Sequence, residues 1–357
     1  MATQTFDETK AEIFTDRILN VLNDSALALM ISIGHRTKLF DTLAELRPAT
    51  SQEIADAAGL NERYVREWLG AMVTGKLIDY NPVNQTYFLP PEHSAFLTRS
   101  AGGNNMAPIT QFISVLGAVE DKIVDCFSKG GGVPYSEYKR FHEVMAEESG
   151  QTVVAALEDY ILPLIPGLVE DLEKGINVLD VGCGSGRAMN KLAQRFPNSR
   201  FWGYDFSAEA IAIATAEAQQ QNLTNVRFEI KDAATFDESD RYHLITTFDA
   251  IHDQARPDLV LRNIQKALRP DGVYLMQDIH AATEVNDNLE HPIAPFLYTI
   301  SCMHCMTVSL AEGGMGLGTV WGQQKALQML ADAGFTLVEI KQLEHDLQND
   351  YYIVRKD

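Results

Sequence analysis

The segment Val178-Leu179-Asp180-Val181-Gly182-Cys183-Gly184-Ser185-Gly186-Arg187 constrains the fold more than any other stretch of the chain. An apolar, β-prone run enters glycines at alternate positions, and a helical pattern, Ala188–Phe196, follows at once. Glycine adopts positive φ without strain and lets a ligand approach the backbone, so the pattern reads as a tight strand-to-helix turn. Alone it is weak, because plain loops and several nucleotide folds share it. Its surroundings decide between those readings.

From Asn177 onward strands and helices alternate. The expected strands are Asn177–Val181, Arg200–Tyr204, Val226–Ile230, Leu244–Phe248 and Gly272–Gln277, with helices Ala188–Phe196, Ala208–Gln221 and Leu259–Leu268 between most of them. Strands that are apolar without clean alternation suit a parallel sheet covered on both faces. Gln323–Ala333 reads as a later helix, and Phe335–Ile340 and Asp350–Arg355 as closing strands. Asp205 ends the second strand about 20 residues after the glycines, where an acid can bond ribose hydroxyls. Asp232 follows the third strand. These positions share the carboxyl ends of the strands, where open α/β sheets bind ligands.

The upstream part has a different texture. Glu12–Leu46 reads as helical, and its apolar residues fall on several sides, as expected of a helix that packs against another helix or subunit. Thr50 and Glu53 have capping-box spacing before a helix Gln52–Ala58, and Asn61 caps a second helix, Glu62–Thr74. Lys76–Tyr80 and Thr86–Leu89 flank the turn-rich Asn81-Pro82-Val83-Asn84. Helix, turn, helix and hairpin is the order of a winged helix-turn-helix. Residues 25–80 hold six basic and seven acidic side chains. DNA readers carry a basic footprint, so a structural, dimerising module is the preferred reading. Ser100–Asn105 reads as a linker, Met106–Phe127 as a helix, Gly130-Gly131-Gly132 as a break, and Glu137–Glu148 and Thr152–Ile165 as two further helices. Three regions result: a winged-helix domain at 1–100, a helical linker and pocket wall at 101–170, and an α/β domain at 171–357.

With 49 acidic against 29 basic residues the formal net charge is −20, which disfavours phosphate backbones as partners. The four cysteines form no disulfide framework and fit a reducing compartment. Met1–Lys10 lacks the pattern of a secretion signal, and we read no membrane-spanning run. A cytoplasmic protein is the expectation.

At this point the region 175–357 resembles the class I S-adenosylmethionine-dependent methyltransferases. The resemblance rests on the glycine turn with its leading Asp180, on Asp205, on Asp232-Ala233, and on Leu268-Arg269-Pro270-Asp271-Gly272 before the fifth strand. A nicotinamide dehydrogenase would place its third glycine one residue later than 186. The resemblance implies a Rossmann-like seven-stranded sheet behind the winged helix, and S-adenosyl-L-methionine as cofactor. It puts the methionine end on Gly182 and Gly184, the ribose on Asp205 and the adenine near Asp232 and Ala233. Asp180, Cys183, Phe206 and Phe248 belong to the same implied site.

The winged helix, the helical linker and the His252-Asp253 pair resemble small-molecule O-methyltransferases related to plant phenolic enzymes, and the bacterial winged-helix-fused methyltransferases. In the former the histidine of a His-Asp-Trp segment is the catalytic base, so His252 is the matching position, with Gln254 replacing Trp. Such a histidine takes a proton from an acceptor hydroxyl as methyl transfer proceeds. A capping or cofactor-adjacent histidine is the alternative. Glu290 and His291 are secondary acid/base candidates. They lie in an insertion, about 281–321, expected to form a lid over the site. Cys302, His304 and Cys305 are read as pocket lining or core in preference to a metal site, since no second ligand pair has the spacing zinc requires. The expected reaction is methylation of a small molecule at oxygen, in a homodimer, without nucleic acid, membrane or metal. The alternatives are an S-adenosylmethionine-responsive DNA-binding regulator and an N- or S-methyltransferase.

Overall fold

The computed structural model describes residues 6–344 and 346–356. The first five residues of the Met1–Lys10 stretch therefore lie outside the described part. The chain divides into two compact units, Met1–Gly117 and Ala118–Asp357.

The first unit begins with α1 (Glu8–Arg36), whose first turn is capped by Asp7, followed by α2 (Leu39–Glu45). The single helix expected over Glu12–Leu46 is broken because Lys38 takes a left-handed conformation, φ 60°. Next come α3 (Ser51–Ala58), with the Thr50/Glu53 capping box formed as expected, and α4 (Glu62–Thr74), capped by Asn61. A short antiparallel hairpin, β1 (Asp79–Asn81) and β2 (Thr86–Phe88), completes the wing. The unit closes with α5 (Pro91–Leu97) and α6 (Gln111–Gly117). Phe40, Ile54, Leu69 and Met72 are fully buried around Trp68. The Trp68 indole N–H donates to the Met30 carbonyl at 2.8 Å, and its ring meets Phe40 edge-on, so one side chain fastens α4 to α1 and α2. Gly34 allows this approach, since a Cβ there would lie 2.5 Å from the Trp68 ring.

The helix expected over Met106–Phe127 ends at Gly117, and α7 (Glu120–Lys129) starts afresh. The boundary between units falls in that break, so the expected 101–170 linker is divided between the two units. The second unit continues with α8 (Phe141–Ser149), π-type turns at Gly150–Val154 and Leu157–Ile161, and α9 (Leu168–Lys174).

The α/β core follows in sequence as β3 (Asn177–Val181), α10 (Arg187–Arg195), β4 (Arg200–Asp205), α11 (Ala208–Gln220), β5 (Val226–Ile230), β6 (Tyr242–Phe248), α12 (Pro257–Ala267) and β7 (Leu268–Ile279). Then come α13 (Ala294–Ile300), α14 (Met306–Ala311) after a π-turn at Ser301–Cys305, α15 (Gly322–Asp332), β8 (Leu337–Leu343) and β9 (Asp346–Arg355). The sheet has seven strands in the order β5-β4-β3-β6-β7-β9-β8. Strands β5 to β7 are parallel, and β9 is antiparallel to both neighbours.

Side-chain alternation along β3 explains how the sheet is covered. Leu179 and Val181 join Val260, Leu261 and Ile264 of α12 and Leu330 of α15 in one core. Val178 joins Met189 and Leu192 of α10 and Leu172 of α9 in the other. Chain order reverses about β3, with β4 on one side and β6 on the other, so their carboxyl ends part to leave a crevice.

Two helical stretches, Glu8–Arg36 and Ala294–Ala311, are long and apolar enough to cross a bilayer by length and composition alone, a condition that the core helix of a soluble protein also meets. The second stretch packs into its unit, burying Leu297, His304, Cys305 and Val308. Trp68→Ala should remove the α1–α4 fastening and leave a cavity. Urea unfolding followed by circular dichroism should show a loss of about 3–5 kcal/mol, and a change under 1 kcal/mol would contradict that packing role.

Candidate active site

The turn after β3 is held by its neighbour strand. The Gly182 and Cys183 N–H groups both donate to the Tyr204 carbonyl, at 2.8 and 3.1 Å. Gly182, Gly184 and Gly186 all have positive φ, at 75°, 52° and 69°. A Cβ on Gly182 would meet that of Ala250 at 2.6 Å, and one on Gly186 would strike Phe228. Nothing lies within 4 Å of a Cβ built at Gly184, so that backbone faces open space.

Asp205 bridges the turn to α11. Its carboxylate accepts from the Gly184 N–H at 2.9 Å and from the Ser207 N–H at 2.8 Å. Burial holds its pKa above the ordinary value, although both N–H groups act in the opposite sense. Each oxygen keeps a free lone pair for a hydroxyl donor. Phe206, 59% exposed, offers a ring beside it. Asp232 is exposed and caps its own loop through the Ala234 N–H, while Ala233 is buried. Phe248 is half-buried against the core.

Two residues assigned from sequence contribute otherwise than by pointing into the crevice. The Cys183 sulfur faces back to β4, 2.8 Å from where a Gly203 Cβ would be, so this residue offers only its backbone to the turn. Asp180 is buried beneath the turn and accepts from the Thr246 hydroxyl at 2.7 Å. Burial raises its pKa to about 7, against the Thr246 bond. It acts as a strut between β3 and β6.

The chemistry converges past β6. Asp249 takes φ 54° and its N–H donates to the Gln277 carbonyl, turning the chain so that His252 enters the interior. His252 is 2% exposed and Asp278, at the end of β7, is 0% exposed. The imidazole Nδ1 lies 2.9 Å from Asp278 Oδ1 and 3.8 Å from Asp249 Oδ1. Asp278 Oδ1 also receives the Trp321 indole N–H at 3.0 Å and the Ile279 N–H at 2.8 Å. Burial disfavours the charged imidazole, but the Asp278 carboxylate, assisted by Cys305, outweighs it and raises the His252 pKa well above its ordinary value. Among the described residues Asp249, His252 and Asp278 are the one group whose potential metal-ligand atoms lie within 4.8 Å of each other. The imidazole Nδ1 is hydrogen-bonded to Asp278, and Asp249 Oδ1 is left without a hydrogen-bond partner.

Sequence reasoning missed Asp278, which lies 26 residues from His252. Its only sequence signal was its place at a strand's carboxyl end. The Asp next in sequence, Asp253, is not the hydrogen-bond partner. Its pKa is raised to about 7 by burial, with neighbouring carboxylates adding to the shift against His252. Glu290 is exposed, and His291 stands beside His280, which pairs with Asp350, so the structure does not gather these two with His252.

The insertion forms a wall around the histidine loop. The Ser309 hydroxyl donates to the Gln254 carbonyl and the Met315 N–H to that of Ala255. The π-turn at Ser301–Cys305 presents consecutive residues inward: His304 stacks on Phe141 at 3.5 Å with Tyr135 and Tyr138 edge-on, and Cys305 neighbours His252. The wall's opposite side is tied on by the Tyr138 hydroxyl, which donates to the Met303 carbonyl at 2.5 Å.

Family comparison accounts for both units. Residues 172–334 match a family described as a methyltransferase domain. That match covers the α/β core from within α9 to just past α15. Residues 25–99 match the Rv2258c-like winged helix-turn-helix domain, so the wing expected from sequence is present.

Among curated relatives, (S)-coclaurine N-methyltransferase of Thalictrum flavum subsp. glaucum is 29% identical over 30% of this chain and 30% of its own length. A ubiquinone biosynthesis O-methyltransferase of Coxiella burnetii is 26% identical over 51% of this chain and 73% of its own. The chain thus spans less than a third of the first of these relatives.

Solved structures match end to end. A Nostoc punctiforme protein ascribed to the O-methyltransferases has TM-score 0.71 at 20% identity, covering 95% of this chain and 98% of that one. Human N-acetylserotonin methyltransferase, solved with S-adenosylmethionine, has TM-score 0.65 at 16% identity, covering 100% and 99%. At these identities the likeness establishes the fold.

Asp205→Ala should weaken S-adenosylhomocysteine binding by about tenfold or more, since hydrogen bonds to a charged group are lost. Calorimetry showing unchanged affinity would remove Asp205 from the binding set.

Proposed function

We propose that the chain transfers the methyl group of S-adenosylmethionine to a hydroxyl oxygen of a small-molecule acceptor, with His252 as base. The observation that carries this reading is the buried His252–Asp278 pair at the carboxyl edge of the sheet, beside the glycine turn. The residues present fit the cofactor: open space over Gly184, ribose acceptors on Asp205, and a free aromatic face on Phe206. Asp232, Ala233 and Phe248 complete the adenine side. S-adenosylmethionine supplies, when bound, a methyl group already activated on a sulfonium.

The protein's own part is alignment, exclusion of water and movement of one proton. Asp278 engages Nδ1, which leaves Nε2 to receive the acceptor's hydroxyl proton. Trp321 and the Ile279 N–H fix Asp278 in turn. Glu290 and His291 are assigned to the insertion's outer side and take no step. Relatives that methylate oxygen and nitrogen both occur, and the buried base favours oxygen, whose proton has to leave.

The wing supports a scaffold role in preference to a DNA reader. On α4, Arg63 pairs with Glu67 and Arg66 with Glu62, so its basic side chains are neutralised within the helix. A homodimer through α1 follows from its apolar side chains Phe14, Ile18, Leu19 and Leu22, all at least half exposed, which a second copy would cover. With four cysteines all free, the protein is assigned to the cytoplasm.

His252→Ala should lower turnover by about 10²–10⁴-fold while S-adenosylhomocysteine affinity stays within threefold. Equal losses in both would make His252 a binding residue. The base form requires a neutral ring, and the pKa is raised, so turnover should climb as pH rises through that pKa. Asp278→Asn removes the stabilising charge and should move the climb to lower pH at reduced maximal rate. An unmoved profile would contradict the pairing. Light scattering should give twice the chain mass, reduced to one chain by Ile18→Glu with Leu22→Glu. A wild-type monomer would remove the dimer.

A further inference from the structure

Resting on the cofactor reading above, we propose that Glu148 and Asp249 together bind the ammonium of the cofactor's methionine end. They approach the glycine turn from two sides. Glu148 is in the last turn of α8, and that end of α8 is tied to the start of α10: the Arg187 guanidinium donates to the Ala146 carbonyl at 2.5 Å. A Cβ on Gly150 would lie 3.4 Å from the same guanidinium. Asp249 comes from the other side, and Ala250, next to it, is the residue against which Gly182 is packed.

Among the described residues neither carboxyl group has a cation hydrogen-bonded to it. Asp249 Oδ1 is buried with no hydrogen-bond partner, and its nearest cationic group is the His252 ring at 3.8 Å, already committed to Asp278. Among the described residues no lysine or arginine pairs with Glu148 or Asp249. The groups facing Glu148 are Asp249, Asp346 and the Thr152 hydroxyl. Those facing Asp249 are His252, Asp278 and Asp346. All but His252 and Thr152 are acidic. Burial, reinforced by this like charge, raises Glu148 to about 8 and, against His252, Asp249 to about 6.

A half-buried carboxylate pair of this kind, with the Asp249 Oδ1 wholly buried, is unfavourable until a cation with hydrogen-bond donors enters. A sulfonium has no N–H to give, whereas an ammonium offers three, and charge-assisted hydrogen bonds are about twice as strong as neutral ones. The orphan oxygen therefore selects the amino-acid end of the cofactor and not its sulfur.

The test is calorimetry on the wild type, Glu148→Gln and Asp249→Asn with two probes. S-adenosylhomocysteine carries the ammonium. 5′-Methylthioadenosine keeps adenine, ribose and thioether but lacks the amino-acid end. The wild type should bind S-adenosylhomocysteine at least about tenfold more tightly. Each substitution should lower that affinity by about tenfold and leave 5′-methylthioadenosine within about threefold. Unchanged S-adenosylhomocysteine affinity in both variants overturns the proposal. So does a parallel loss of both probes, which would show general damage to the pocket. A wild type that binds neither probe brings down the cofactor reading and this pair with it.

Discussion

The hydrogen bonds from the Gly182–Gly186 turn to Tyr204 and Asp205 set the geometry on which the rest depends. They hold the turn close to β4, at the point where strand order reverses. Three positive-φ glycines let the chain leave β3, expose backbone at 184 and enter α10 within a few residues. Side chains there would collide with Ala250 and Phe228, so the crevice exists because these positions carry none.

The second constraint is charge in a dry place. Asp180, Asp205, Asp249, Asp253, Asp278 and Glu148 all lie around the carboxyl edge, and several have pKa values raised by burial. In a low-dielectric pocket such groups repel one another and hold protons, unless cations enter. Among the described residues the His252 ring is the basic group closest to Asp249 and Asp278. The same field that raises the His252 pKa suits the pocket to a cationic ligand, and it links the proposed base to the proposed cofactor site electrostatically.

Much of this was legible in sequence because it is local. The β3 and β5 limits agree with expectation residue for residue, and α4 likewise, because caps, glycines and apolar runs mark their ends. Asp205 and His252 were legible as residues that follow strands. What escaped was non-local. Asp278 meets His252 from 26 residues away and Trp321 meets Asp278 from 43, and only the sheet's order brings β6 beside β7. Glu148 read as the end of an ordinary helix, since nothing near it in sequence announces the glycine turn. The orientation of Cys183 was not legible either: it stands in the motif, but its side chain turns to Gly203. The broken helices at Lys38 and after Gly117 show apolar spacing running on where backbone conformation does not.

A crystal structure with S-adenosylhomocysteine tests the central claim most directly. The account predicts the homocysteine sulfur above the 182–184 backbone, both ribose hydroxyls on Asp205, and the His252 imidazole across an open chamber from the sulfur with Nδ1 still on Asp278. A nucleoside bound elsewhere, or a His252 ring turned away from the sulfur, would contradict it.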